Sequence, residues 1–284
     1  MLDNEFTHST SLSAKSHHSV EWSRRKFLHK GFSLGAASAL ASVMSPPVLA
    51  APRMPPTQRV STGISELRLQ THAIVALETF YGKSLGLPIQ RNGDELTIDA
   101  GSTRIVFVAV KEGKPFYHVA FNIPENKLKS AVQWQKKRTE VIRRNKNDVV
   151  HFAKWNADSV FFRDPAGNLL EYIARHDLKN AANGDFSATD ILYASEIGLV
   201  VDDIPKAVTA AKAQLNLGIY RDNSLNFASI GDEHALLVVV KRNRKWFPAR
   251  KRPAKVFPLT ATIRGLKKSK LVMRDFNYKL SIIK

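Results

Sequence analysis

The absence of cysteine limits the chemistry that this chain can perform. Its 284 residues include nine histidines and 25 Asp and Glu residues, but no cysteine. A disulfide framework, a thiolate metal site, an iron–sulfur cluster and a cysteine nucleophile are therefore excluded. Any metal ion must be held by histidine, aspartate or glutamate.

Polar residues alternate with leucines in the segment Glu66-Leu-Arg-Leu-Gln. Because successive side chains of a β-strand point to opposite faces, Glu66, Arg68 and Gln70 should share one face and Leu67 and Leu69 the other. We expect the leucines to meet helices and the polar side chains to line a pocket.

Three segments of the chain share one order of predicted elements, which reads as βαβββ or a close variant. Their opening strands begin near Glu66, His118 and Glu196, and helices are predicted over residues 73–85, 125–137 and 204–215. One such module leaves its sheet open, so modules should pair, and the fold class is α+β. Residues 256–263 are predicted to open a fourth, incomplete module that pairs with the third.

Several motifs of the first two modules resemble the vicinal oxygen chelate superfamily, which includes glyoxalase I, fosfomycin-resistance enzymes, extradiol dioxygenases and bleomycin-binding proteins. The motifs are Phe80-Tyr81, Leu85-Gly86-Leu87, His118-Val-Ala-Phe and, as the most specific one, Asp164-Pro-Ala-Gly-Asn-Leu-Leu-Glu171. The resemblance covers residues 65–175 well and residues 195–241 more weakly. It implies two βαβββ modules that curl into a half-open barrel around a divalent metal.

This resemblance leads to a domain prediction. We expect the paired modules at residues 63–178, a third βαβββ-like module at residues 190–264 and a basic tail at residues 265–284.

The resemblance also implies a ligand set. The recurring ligand positions of the family, carried over to this sequence, are Glu66, His118 and Glu171. Two carboxylates and one imidazole suit Mn²⁺, Fe²⁺, Zn²⁺ or Mg²⁺ and leave positions open for two neighbouring oxygens of a substrate. Arg68 and Gln70 share the strand face of Glu66 and are candidate substrate-binding residues, with an Arg68–Glu66 ion pair as the alternative for the arginine.

Departures from the family pattern leave the reaction open. A fourth ligand position falls on Phe107, and a glutamate replaces the second histidine of the two-histidine, one-carboxylate set found in dioxygenases. The third module has Glu196 in its opening strand but Val238 where the second module has Glu171. We interpret the third module as metal-free: it packs beside the first pair, completes a lid or mediates a homodimer.

Two functions follow from these residues. The first is a metal-dependent enzyme that acts on a small oxygen-rich compound as a lyase, an isomerase or a ring-cleaving dioxygenase; His118 and Glu171 favour it. The second is a metal-free protein of the bleomycin-resistance type that sequesters a small ligand; Phe107 favours that alternative.

The first 50 residues resemble a twin-arginine export signal. Arg24 and Arg25 precede an Ala/Gly/Ser-rich stretch at residues 31–44 and small residues at 48–51. This stretch is shorter than the ~20 residues that cross a bilayer as a helix. We expect residues 1–50 to be removed, residues 51–62 to be a linker, and the protein to work in the periplasm or elsewhere outside the cytoplasm.

The positive charge of the chain is concentrated near its C-terminus. Of the net charge of +18, residues 241–284 contribute +14 through fifteen Lys and Arg residues and a single acid, Asp275. The tail lacks an aromatic stacking platform, which argues against specific nucleic-acid recognition. Trp246 and Phe247 lie among basic residues, which favours weak contact with an anionic cell envelope. A solvated extension is the alternative.

Overall fold

The computed structural model describes residues 63–284. The predicted export signal and linker, residues 1–50 and 51–62, lie outside the described residues. No helix within the described part has the length and apolar character needed to cross a membrane.

Strands dominate the described chain, and helices are few. The strands are β1 (Gly63–Thr71), β2 (Ile89–Asn92), β3 (Glu95–Ala100), β4 (Thr103–Ala109), β5 (His118–Ile123), β6 (Val141–Ile142), β7 (Val149–Phe152), β8 (Ala157–Arg163), β9 (Leu169–Arg175), β10 (Tyr193–Val201), β11 (Ile219–Ser224), β12 (Phe227–Gly231), β13 (Leu236–Lys241), β14 (Leu259–Arg264), β15 (Ser269–Met273) and β16 (Tyr278–Ile283). The helices are α1 (Ile74–Glu78), which continues into a π-helical turn (Thr79–Ser84), α2 (Leu128–Lys136) and α3 (Ile204–Leu215).

Helix α3 follows directly from its local sequence. The side chain of Asp203 accepts a hydrogen bond from the backbone N–H of Lys206 and so caps the first turn. Asn216 ends the helix in the left-handed conformation. The residues that α3 buries recur at the spacing of one helical face: Ile204, Ala207, Ala211 and Leu215. The predicted bounds of this helix are confirmed.

Two open sheets carry all sixteen strands. Sheet A has seven strands in the order β15-β16-β14-β1-β4-β3-β2. Sheet B has nine, in the order β11-β12-β13-β10-β5-β9-β8-β6, with β7 paired to β8. Neither sheet closes on itself, and the predicted α+β class is confirmed.

The modules pair differently from the sequence prediction. The opening strand of the first module, β1, pairs antiparallel with β14, whereas the opening strand of the second, β5, pairs antiparallel with β10 of the third. The two modules expected to share one barrel therefore lie in different sheets. The fourth segment joins the first module and not the third. The opening strand of each module pairs with the closing strand of that module and leaves its other edge free. Local sequence does not specify which strand this free edge meets.

The inner faces of both sheets form one continuous core together with the helices. Leu67 and Leu69 lie in it beside residues of α1, which confirms the predicted alternation of β1. Phe107 is also buried there, with its ring stacked on Tyr81. Phe107 points inward while Glu66 lies on the outer face, so the expected fourth ligand position and Glu66 lie on opposite faces of sheet A.

The basic C-terminal region is integrated into the fold. Residues 265–284, predicted to be a tail, contain β15 and β16, which complete the edge of sheet A. Residues 243–254 form a hairpin with backbone hydrogen bonds between Asn243 and Ala254 and between Trp246 and Arg252. We call this segment the cover hairpin. Its Trp246 packs into a second cluster of buried residues on the outer face of sheet B.

Candidate metal centre

Three neighbouring strands at the centre of sheet B bring an imidazole and two carboxylates together. His118 begins β5, Glu171 lies on β9 and Glu196 lies on β10. The strand register puts Glu171 and Glu196 on either side of the same residue, Ala120. Because His118 is two residues before Ala120, all three side chains project from the outer face of the sheet.

The three side chains lie within reach of a shared cation. His118 Nε2 is 3.5 Å from Glu171 Oε2 and 3.7 Å from Glu196 Oε2. One donor atom from each residue lies within 4.8 Å of the other two, and all three residues are buried. Among residues 63–284, no other group of three or more His, Asp or Glu side chains meets that condition.

A hydrogen bond orients the imidazole toward the carboxylates. His118 Nδ1 lies 3.2 Å from the carbonyl oxygen of Leu169, to which it donates as N–H. In that tautomer the lone pair of Nε2 faces two carboxylate groups, an arrangement that requires a proton or a cation between them. Ligating histidines are commonly oriented by such a bond from the second ring nitrogen. The donor set therefore fits a divalent cation.

The electrostatics of the cluster reflect its burial. Burial raises the pKa of Glu171 to about 8, and the negative charge of Glu196 contributes to the shift. Burial alone would lower the pKa of His118, but the close approach of Glu196 and the negative charges of both glutamates outweigh it and raise that pKa. The cluster thus favours positive charge at its centre.

Arg175 provides a fixed positive charge beside the site. Its Nη2 donates to Glu196 Oε1 at 2.5 Å, and its Nε donates to Asn122 Oδ1 at 3.1 Å. Arg175 is 1% exposed, and its Nη1 has no hydrogen-bond partner among residues 63–284. This ion pair compensates the negative charge of Glu196 in a low-dielectric interior and leaves one carboxylate oxygen facing His118.

The cover hairpin closes the site from outside. The ring of Trp246 lies 5.3 Å from the ring of His118, centroid to centroid. Trp246 also contacts Gly198, where an added Cβ would lie 2.7 Å from the indole. The side chain of Arg252 donates to the carbonyl oxygen of Gly167 and stacks over Phe116. The cluster is therefore shielded from bulk water.

This placement corrects the envelope-contact interpretation of the cover hairpin. Trp246 is 6% exposed and Phe247 packs on the ring of Phe161. Neither aromatic side chain is presented outward as an interfacial anchor, so the sequence basis for that contact is lost in this conformation.

The cluster contains two of the three predicted ligands. The structure brings His118 and Glu171 together but puts Glu66 on β1 in sheet A, beside Thr262 and Arg104. Glu196 takes the third place in the cluster. The sequence contains its signal, a glutamate in the opening strand of the third module, but pairing the first two modules led to Glu66 instead.

The predicted substrate-binding residues lie away from this cluster. Arg68 and Gln70 are on the outer face of sheet A, as the alternation of β1 predicts. Arg68 forms its ion pair with Glu95, and not with Glu66. The two residues therefore do not contact the candidate metal centre.

The most specific motif has a structural position near the site. The buried carboxylate of Asp164 accepts hydrogen bonds from Asn168 and from the hydroxyl of Tyr81. Asn168 in turn accepts from the backbone N–H of Tyr117. This turn ties the end of β8 to the start of β5 and fixes the register in which Glu171 follows on β9.

Comparisons with known proteins give only distant similarities. No protein-family model matches the chain, and no curated protein matches it. Glyoxalase I from Zea mays is 12% identical, with a TM-score of 0.48 over 78% of this chain and 92% of that one.

Two smaller solved structures match less of the chain. A glyoxalase/bleomycin resistance protein/dioxygenase from Nocardioides is 20% identical, with a TM-score of 0.34 over 44% of this chain and 89% of that one. Lactoylglutathione lyase from Agrobacterium tumefaciens is 19% identical, with a TM-score of 0.32 over 39% and 92%. Sequence identities of 20% or less and TM-scores below 0.5 do not show that this chain shares an activity with any of the three proteins.

Proposed function

We propose that this protein is a metal-dependent enzyme of the glyoxalase or dioxygenase type that acts on a small oxygen-rich compound. The observation that supports the proposal is the buried convergence of His118, Glu171 and Glu196. A hydrogen bond to Leu169 that orients the histidine adds to it. Lyase, isomerase and ring-cleaving dioxygenase activities all remain within this proposal.

The three residues are the proposed protein ligands of one divalent cation. Carboxylate and imidazole donors suit Mn²⁺, Fe²⁺, Zn²⁺ and Mg²⁺, with no preference that the donor set itself decides. When bound, such a cation supplies Lewis-acid polarisation of a substrate oxygen.

The surrounding residues of the chain have distinct proposed roles. Glu171, whose pKa burial raises to about 8, gives up its proton when it binds the cation, so cation binding should tighten as the pH rises. Arg175 donates a hydrogen bond to the carboxylate of Glu196 and fixes its orientation. Trp246 excludes water from the cluster, so substrate entry requires the cover hairpin to move.

Calorimetric titration of the full chain with Mn²⁺ and with Zn²⁺ tests the ligand set. We expect one ion per chain for the wild type and for Glu66→Gln, which serves as the matched control. Glu171→Gln and Glu196→Gln should each lower the affinity by about tenfold or more, because each variant loses an anionic ligand. Unchanged affinity in Glu196→Gln, or equal loss in Glu66→Gln, would contradict the proposed site.

A metal-free ligand-binding protein is the second candidate. It is favoured by the ion pair between Arg175 and Glu196, which already compensates one of the two carboxylates. The same titration separates the candidates, because a metal-free protein binds neither ion with 1:1 stoichiometry.

We also propose that the protein is exported through the twin-arginine route. This proposal rests on Arg24 and Arg25 and on the Ala/Gly/Ser-rich stretch that follows them. We further propose that the protein forms a homodimer, because both sheets have open edges.

A further inference from the structure

We propose that the outer face of sheet A binds a small organic oxyanion, a carboxylate or phosphate group attached to an apolar body. A groove of about 740 Å³ crosses this face between β1, β4 and β14–β16. It lies on a different sheet from the candidate metal centre. The inference does not depend on the proposed enzymatic function.

The charged side chains that line the groove are all cationic. Three cationic side chains line it, from Arg68, Arg274 and Lys279, and no Asp or Glu does. Arg68 is engaged by Glu95, but neither Arg274 nor Lys279 forms an ion pair with any residue in the range 63–284. Cations that line one groove repel one another, so this lining is complementary to a negatively charged ligand.

A neighbouring groove on the same face lacks this property. It measures about 340 Å³ and is lined by Arg104 and Arg264, but also by Glu66 and Asp99. Its charges are balanced by its own acids. The excess of positive charge is therefore specific to the larger groove and is not a general feature of the face.

The floor of the groove offers both hydrogen bonds and apolar contact. Gln70 on β1 and Thr260 on β14 are partly buried polar residues in its lining. Val108 lies opposite Gln70 in the register of β1 and β4, and Val272 is 41% exposed in the same groove. An exposed apolar side chain beside these cations suits an organic anion better than a bare inorganic one.

The corresponding face of sheet B shows what a covered surface looks like in this fold. There the cover hairpin buries Trp246 against the sheet. No segment within residues 63–284 covers the larger groove of sheet A in that way, and its side chains from Arg274 and Lys279 are exposed. The face is thus accessible to a small molecule.

Calorimetric titration of the full chain with phenyl phosphate and with inorganic phosphate tests this inference. We expect saturable 1:1 binding of phenyl phosphate that weakens with added salt, and weaker binding of inorganic phosphate. Arg274→Gln and Lys279→Gln should each reduce the affinity by about tenfold, since each loses a charge-assisted contact. Val272→Ala should weaken phenyl phosphate binding only.

Matched control variants distinguish binding in the groove from non-specific attraction to the positive charge of the protein. Lys267→Gln and Lys268→Gln remove exposed cations of the adjacent loop that do not line the groove, so they should change the affinity less than twofold. Glu196→Gln should leave phenyl phosphate binding unchanged, whatever it does to metal binding. Absence of saturable binding, or equal losses in the groove and loop variants, would overturn the inference.

Discussion

Trp246 lies directly against Gly198, the residue two positions after Glu196 on the strand that carries this candidate ligand. An added Cβ at position 198 would lie 2.7 Å from the indole and 3.1 Å from the Cβ of His118. A glycine is therefore needed where the cover hairpin reaches the strand, and the fit of the hairpin is coupled to the geometry of the site.

Gly198→Ala tests this coupling. The new methyl group should displace Trp246 and destabilise the protein by about 1–3 kcal/mol through overpacking. In a Trp246→Ala background, the cost of the same substitution should largely disappear, because the clashing indole is gone. Denaturant unfolding of the four proteins of this cycle gives the coupling free energy. Additive effects would mean that the hairpin does not pack on β10 in solution.

Removal of Trp246 should also open the site. In the metal-loaded protein, we expect Trp246→Ala to release metal to excess chelator faster than the wild type does, because the indole no longer shields the cluster. Trp134→Ala is the control, since Trp134 packs on Phe186 and Tyr172 in the inner core. Equal chelation rates in both variants would remove the role of the hairpin as a cover.

Arg175 should be energetically coupled to Glu196. Arg175→Met leaves a buried carboxylate without its partner, a change that costs about 3–5 kcal/mol in comparable sites. Combining it with Glu196→Gln should recover much of that loss, which chemical denaturation would measure. Arg242→Gln provides the surface comparison: it breaks the exposed pair with Asp202 and should cost under about 1 kcal/mol. Similar losses for both arginines would contradict the buried-pair interpretation.

The raised pKa of Asp164 predicts that the stability of the protein depends on pH in the acidic range. Burial raises its pKa from 3.8 to about 6 in the folded protein. The unfolded chain therefore releases this proton at lower pH than the folded chain does. The stabilisation that the raised pKa of Asp164 gives the folded protein is fully present below pH 4 and is lost as the pH rises through 6. This loss lowers the free energy of unfolding by up to about 3 kcal/mol.

The difference between wild type and a variant isolates this effect. Asp164→Asn cannot titrate at this position. As the pH rises from 4 to 6.5, the free energy of unfolding of the wild type should therefore fall relative to that of the variant. Thermal or urea unfolding across this range measures the difference. A constant offset between the two proteins would show that Asp164 does not titrate as proposed.

Export through the twin-arginine route should depend on Arg24 and Arg25, which lie outside the described residues. Replacing Arg24 and Arg25 by lysine should retain the precursor in the cytoplasm, because the paired guanidinium groups are the distinguishing feature of the signal. Arg53→Lys, beyond the small-residue segment, should leave export unchanged. Cell fractionation with immunoblotting checks both. Normal export of the double variant would exclude this route.

The sequence by itself determined the local features of this protein. The alternation of β1 predicts which side chains of Glu66 to Gln70 point outward, and the apolar spacing predicts helix α3 to the residue. The resemblance of local motifs to a known family also points to His118 and Glu171, because each matches a ligand position within one module. Such features depend on neighbours a few residues apart, which the sequence displays directly.

Only the tertiary structure decided which modules share a sheet, and with that the third member of the site. Glu66 and Glu196 both occupy opening strands, and nothing near either residue distinguishes them. The antiparallel pairing of β5 with β10 brings Glu196 beside His118, while β1 pairs with β14 and carries Glu66 away. Strand edges associate through backbone hydrogen bonds that are nearly independent of side-chain identity, so the choice depends on how the whole chain packs.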